Sequence, residues 1–199
     1  SDPQTLHYDA IPLLWAIGEA PEELKAEART WLGDSQSKAA QLIGASWLLT
    51  SDRTVAGEKL EELAKLRHPS IPWLAQAQLW RSEIVSASPD DLTSWGTLVE
   101  RMPKSLQTGP SFVVGQGWSQ QQKDDEAALW FARGPILDNR DRRLAVESLQ
   151  RAGESLQKAA QPLGAAQIYR EIVTDYADFP SAVLTAQSRL AELSRTPTP

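Results

Sequence analysis

Arg133, Arg140, Arg142, Arg143 and Arg151 crowd one connecting stretch of the chain. A guanidinium presents a planar fork that suits carboxylate and phosphate groups. The cluster therefore reads either as a site for an anionic partner or as a solvated loop balanced by Asp138, Asp141 and Glu147. Asp124-Asp125-Glu126 and Asp138-x-x-Asp141 offer the oxygen ligands that a hard cation takes. Both fall at expected helix starts, where the helix dipole favours acids anyway, so no metal is expected. His7 and His68 are far apart and lack the H-E-x-x-H spacing of a zinc site. His68, just before Pro69, reads as a helix-end residue near the negative pole of the dipole. There is no Gly-x-Ser-x-Gly elbow, and neither histidine sits in a motif that would make it a base. Gly115-x-Gly117 has no preceding strand and no following Lys-Ser/Thr, so it is not a phosphate loop. The absence of cysteine excludes a disulfide framework, a thiolate metal site and a cysteine nucleophile together. This inventory implies a non-catalytic chain without cofactor.

Eight tryptophans in 199 residues is a high number. They could form a platform for sugar or peptide, but large aromatics dominate packed cores. Trp15, Trp47, Trp80 and Trp118 read as wedges between helices, and Trp130, beside the core position of Phe131, as exposed or lodged between repeats.

The net charge of −6 is unevenly spread, with −7 over residues 1–100 and +1 over residues 101–199. An acidic first half argues against a nucleic-acid groove, which needs a basic stripe. Ser105 to Gln122 is the longest uncharged stretch, but Gly109, Pro110, Gly115 and Gly117 interrupt it, and it is no membrane span. The chain opens at Ser1-Asp2-Pro3 and reads as a processed or trimmed product, which leaves room for a missing anchor or targeting segment.

The elements that position these residues all read as helices. Leu24, Ala28, Trp31 and Leu32 form a stripe of helical period after Pro21-Glu22-Glu23. Ala39 to Leu48, Val55 to Leu66 and Trp73 to Trp80 repeat the pattern, with His68-Pro69 as a stop. Ser88-Pro89-Asp90-Asp91 combines an N-cap, a proline at the first helical position and an acid three residues after the cap. Asp124 is expected to cap the helix of Ala127 and Phe131, and Pro162 and Pro180 to open the last two helices. Longer connections are expected over Pro103 to Pro110 and Gly134 to Asp141. No stretch alternates like a half-buried strand.

The pairs Gly44/Trp47, Ala77/Trp80, Gly115/Trp118 and Gly153/Leu156 recur every 33 to 38 residues. Each is followed by a second set: Ala56-Leu60-Leu63, Asp91-Trp95-Leu98, Ala127-Phe131-Gly134 and Ala165-Tyr169-Ile172. A period of this length signals units that bury their apolar faces by stacking on one another. Gly115-x-x-Trp118 with Ala127-x-x-x-Phe131-x-x-Gly134 resembles the tetratricopeptide repeat, as do the flanking pairs from about residue 36 to 194. The resemblance implies an all-α, right-handed solenoid of stacked antiparallel helix pairs with about 10–11 helices. Residues 1–34 are expected to form a degenerate helical hairpin, 35–194 the array and 195–199 a flexible tail. The run Gln167 to Leu193 is similar to repeats of bacterial cell-envelope proteins in this superfamily.

In such a superhelix, residues flanking the small position of each first helix line the groove. Here they are Gln41, Ala45, Leu74, Gln78, Arg81, Phe112, Gln116, Ser119, Gln150, Glu154 and Gln157, a glutamine-rich and nearly neutral wall with Arg81 and Phe112 as anchors. Family members that clamp a terminal carboxylate use Lys, Asn and Arg at such places. Gln41, Leu74 and Phe112 do not match, so that activity is not carried over. The function implied is a scaffold for a protein or peptide partner in a bacterial envelope assembly, without nucleic acid. The alternative is an accessory domain of a larger enzyme or carbohydrate-binding system that uses exposed tryptophans.

Overall fold

The computed structural model describes residues 13–15, 22–138 and 140–195, and among these the chain is all-helical. It divides into two compact units, Ser1–Glu83 and Ile84–Pro199. His7, Pro21 and the last four residues, on which parts of the sequence reading fell, lie outside the described residues.

The first unit holds α1 (Glu22–Gly33), α2 (Lys38–Leu48), α3 (Arg53–Ala64) and α4 (Ile71–Glu83). Each helix packs on the next, and α2 also touches α4. With neighbours on three sides, α2 is buried without interruption from Ala40 to Ser46. Ala28, Trp31, Leu42, Ile43, Leu60 and Leu63 belong to one core cluster. The Ser37 hydroxyl caps α2 by accepting from the Ala40 amide at 3.1 Å. The Ser46 hydroxyl both accepts from the Leu14 amide at 2.9 Å and donates to its carbonyl at 3.2 Å, which ties residues 13–15 to α2. His68 corrects the sequence reading. It lies beyond α3, and its Nδ1 accepts from the amides of Ser70 and Ile71, both at 3.2 Å, at the start of α4. It serves the helix after it, whose orphan N–H groups need an acceptor.

The second unit holds α5 (Pro89–Arg101), a 3-10 turn (Lys104–Leu106), α6 (Thr108–Gln120), α7 (Asp124–Leu137), α8 (Arg142–Lys158), α9 (Pro162–Asp175) and α10 (Pro180–Arg195). The capping box at Ser88 and Asp91 forms in full, with Pro89 in the first turn. Pro162 and Pro180 open α9 and α10. Sequential packing repeats here, and α6 touches α8 while α8 touches α10; no odd-numbered pair brings its backbones together to a comparable extent. The even-numbered helices of the unit are thus its closer-packed layer, the arrangement of an α-solenoid.

Two boundaries differ from expectation. Asp124 is the first residue of α7, Lys123 holds the cap position, and no side-chain cap forms. The helix also runs on through Gly134 and Pro135 to Leu137, which leaves a short connection before α8. A proline in a last turn removes one hydrogen bond, to the carbonyl four residues back, and the Asp138 amide still reaches the Gly134 carbonyl at 2.9 Å. Pro110 likewise lies within the first turn of α6, where its missing N–H would have had no helical partner.

The repeat spacing has a direct packing meaning. An ideal Cβ at Gly115 would lie 2.7 Å from the Phe131 ring, and one at Gly153 2.6 Å from the Tyr169 ring. In both pairs the small residue of the even helix seats the aromatic of the next helix. Gly44 differs: its Cβ would meet the backbone of α1 at Ala28 and Leu32, so it serves the preceding helix.

Candidate functional site: the α8 groove

Five of the expected groove residues are interior. Ala45 and Gln78 are 0% exposed, Phe112 1%, Gln41 4% and Arg81 7%. Phe112 packs tilted on Phe131 with ring centroids 5.4 Å apart. The Gln41 amide donates to the Asp34 carbonyl at 2.8 Å and its oxygen accepts from Lys38 at 3.0 Å, closing the α1–α2 connection. Arg81 donates to the Ser46 carbonyl at 3.0 Å and to the Gln78 side chain at 2.6 Å, and burial pulls its pKa down to about 10. Leu74 packs against the core of the first unit. α2 and α6 each pack on three other helices, and these positions lie on the sides that those neighbours cover. A cavity of about 200 Å³ beside Arg81, bounded also by Leu49, Thr50, Arg53 and Ser82, is what remains open there.

Gln116, Ser119 and Gln157 are half-buried. Gln157 is engaged by the Tyr169 hydroxyl at 2.6 Å, and burial pushes that phenol up to about 12.

The arginines do not form one patch. Arg133 pairs with Glu100 at 3.2 Å and lies over the Trp130 ring at 5.2 Å. Arg140 grips both oxygens of Asp138 through Nε at 2.9 Å, and this hydrogen-bonded guanidinium holds the Asp138 carboxyl below its ordinary range. Arg142 reaches the Asp175 carbonyl at 2.8 Å, the Asp178 carboxylate through Nε at 3.1 Å and the face of Tyr176 at 4.8 Å. Three of the five are therefore bound up in holding loops and helix ends. Asp141 accepts from the Leu144 amide at 3.0 Å to cap α8, and Asp125 accepts from Gln161. Asp125, Asp138 and Asp141 thus each engage a neighbouring group.

The remaining two arginines lie on α8 and face a groove. It has a volume of about 380 Å³, with Arg143, Glu147, Gln150, Arg151 and Glu154 on the α8 side and Phe179 and Ala182 on the side of α10. The six positions Arg143, Val146, Glu147, Gln150, Arg151 and Glu154 fall on one helical face. The opposite face, with Ala145, Leu149 and Ala152, is buried. Arg151 meets Glu154 at 3.9 Å, the longest ion pair among the described residues. Arg143 has no hydrogen bond or ion pair among the described residues. Burial raises the Glu147 carboxyl above its ordinary range, with Arg151 opposing the rise and Asp141 adding to it. Gln150 and Glu154 were named in the sequence as groove residues. Glu147 was placed there only as a balancing charge, although its position four residues after Arg143 on one helix was the signal that joins them.

No tryptophan is exposed among the eight. Trp130, for instance, lies over Gly96, where an ideal Cβ would come within 2.5 Å of the ring, so it fills the space between α5 and α7. No helix among the described residues is long and apolar enough to cross a membrane. Comparison with protein-family models, with curated proteins and with solved structures finds no match for the chain.

Proposed function

We propose that the chain is a non-catalytic interaction module of the tetratricopeptide type, serving a bacterial envelope assembly and taking a peptide segment of a partner protein along α8. One observation carries this reading. α8 keeps a polar face of five long side chains beside a groove of about 380 Å³, while α2 is buried from Ala40 to Ser46 and α6 from Gly109 to Gly115. Repeat arrays use such accessible faces for extended partners. The recurrence of glycine under aromatic at Gly115/Phe131 and Gly153/Tyr169 supports the repeat character on which the reading depends.

The test is selection of a random peptide display library on the full chain, with Gln150→Trp as counter-selection. Gln150 is half-buried at the groove, so the larger ring obstructs it without entering the core. Enriched peptides that bind the wild type and lose binding to Gln150→Trp are the expected result. A library that yields no binder sensitive to this substitution overturns the reading.

A further inference from the structure

We propose that the α8 groove selects an extended peptide segment with charges at every second residue, in the order acidic–x–basic–x–acidic, seated along Arg143, Glu147 and Arg151. This inference rests on the reading of the chain as a peptide-binding module and names the partner's chemistry at the same site.

The argument starts from charge order. Along the accessible face of α8 the charges run Arg143, Glu147 and Arg151 at steps of four residues, with Glu154 three residues beyond the last. Each step rises about 6 Å along the helix axis, and the ladder spans about 12 Å. In an extended segment, side chains on one face recur every second residue, about 6.7 Å apart, and five residues span about 13 Å. The two periods match closely over this length. The ladder turns about 40° per step around α8, a drift that long arginine and glutamate side chains can follow.

The charge spacing favours an extended occupant. The match of periods is what selects it: charges about 6 Å apart along α8 meet side chains about 6.7 Å apart on one face of an extended segment. In an extended segment the intervening side chains point away from α8. The other wall offers them Phe179 and Ala182, which suits small apolar residues at x.

The charged groups are available for a partner. Arg143 has no partner among the described residues, and the contact of Arg151 with Glu154 is at the outer limit of an ion pair. Glu147 is half-buried and lacks a hydrogen-bonded cation, so a basic side chain arriving beside it supplies the counter-charge that its surroundings do not. Arg142, next to Arg143 in the chain, is committed to Asp178 and Tyr176 and takes no part.

The experiment titrates isotope-labelled full chain with acetyl-Glu-Ala-Lys-Ala-Glu-amide and, separately, acetyl-Lys-Ala-Glu-Ala-Lys-amide, following amide chemical shifts at low salt. The first peptide is expected to shift α8 signals from Arg143 to Glu154 and the Ala182 signal, and to bind about fivefold tighter than the second. Its binding weakens at about 0.5 M salt, because exposed charges are screened. In the variant Arg143→Glu/Glu147→Lys/Arg151→Glu the preference inverts, and the milder Arg143→Gln weakens the first peptide alone. Equal binding of the two peptides, or an order that does not invert, overturns the inference. Display binders that depend on the groove but carry no charge order also overturn it and leave the interaction reading standing. Absence of any groove-dependent binder overturns both.

Discussion

A methyl group added at Gly115 would sit 2.7 Å from the ring of Phe131, which is itself buried against Phe112 and cannot step aside. One added at Gly57, in the middle of α3, meets nothing within 4 Å. Gly115→Ala is therefore expected to destabilise by about 1–3 kcal/mol through overpacking. Gly57→Ala should stabilise by about 0.5–1 kcal/mol, because a helical glycine surrenders more backbone freedom on folding than alanine does. Denaturant unfolding of the two variants checks both signs, and equal shifts would mean that the small residues of the repeat are incidental. Glu147 gives a pH dependence at the same scale. Its folded pKa is raised, chiefly by burial, so the folded state holds the proton more tightly than the unfolded state does. Its contribution to stability is favourable below the ordinary carboxylate range and is lost as pH rises through the folded value. The groups that face it are Arg143, Arg151, Asp141 and Glu154. Glu147→Gln should flatten the fall in melting temperature above pH 4.5 and leave the variant the more stable protein at neutral pH. A variant that is less stable at pH 7 and keeps the wild-type slope would show that the carboxylate is stabilised where it stands.

Helices α6 and α8 end in the same way. The Lys123 amide reaches the Trp118 carbonyl at 3.0 Å and the Gln122 amide the Ser119 carbonyl at 3.1 Å; Gln161 to Leu156 and Ala160 to Gln157 repeat this at 2.8 and 3.1 Å. Gln122 and Ala160 both have a φ of 56°. This is the Schellman ending, in which glycine is the usual residue at the left-handed position. Ala160→Gly is expected to stabilise by about 1 kcal/mol, read from the denaturant midpoint, since a side chain is disfavoured there. A lowered midpoint would show that the Ala160 methyl earns more by packing than it loses in backbone strain. At the other end of a helix, His68→Ala should cost about 1 kcal/mol by removing the acceptor for two amides at the start of α4. His68→Asn, which keeps a side-chain acceptor, should recover part of it; an unchanged melting temperature for His68→Ala would mean that water serves those amides equally well. These ends show how far local sequence carries. The Ser88 cap was readable because serine, proline and aspartate each act within one turn of their own position. The endings at Gln122 and Ala160 were not, because no glycine marks them. Gly134-Pro135 read as a break because the local rule ignores where in the helix a proline falls.

Across the whole molecule, the period from Gly115 to Gly153 was legible because one residue pair, small against aromatic, decides each helix contact. The lining of the groove was less legible. Whether a flank is open depends on where the neighbouring helices lie around it and not on their number, since α8 packs on four helices and α6 on three. Phe112 on α6 and Gln150 on α8 hold comparable places beside a glycine, yet Phe112 is interior and Gln150 faces the groove. The same neighbour-only logic sets the stability of the parts. Each helix of the second unit packs on those next to it in sequence, and Leu149, Tyr169, Ile172 and Ala186 belong to a core cluster of its own. At 116 residues, Ile84–Pro199 is well above the roughly 40–60 residues below which a chain struggles to bury enough surface. The fragment 84–199 is therefore expected to be helical by circular dichroism and to unfold in one cooperative transition, with the groove intact because every residue lining it lies in this unit. The five-residue peptide acetyl-Glu-Ala-Lys-Ala-Glu-amide should then shift the same α8 signals in the fragment as in the full chain. A fragment that folds but shows different α8 shifts would mean that residues before Ile84 shape the site. A fragment that fails to fold would mean that the second unit draws its stability from the first, against the nearest-neighbour accounting of a repeat array.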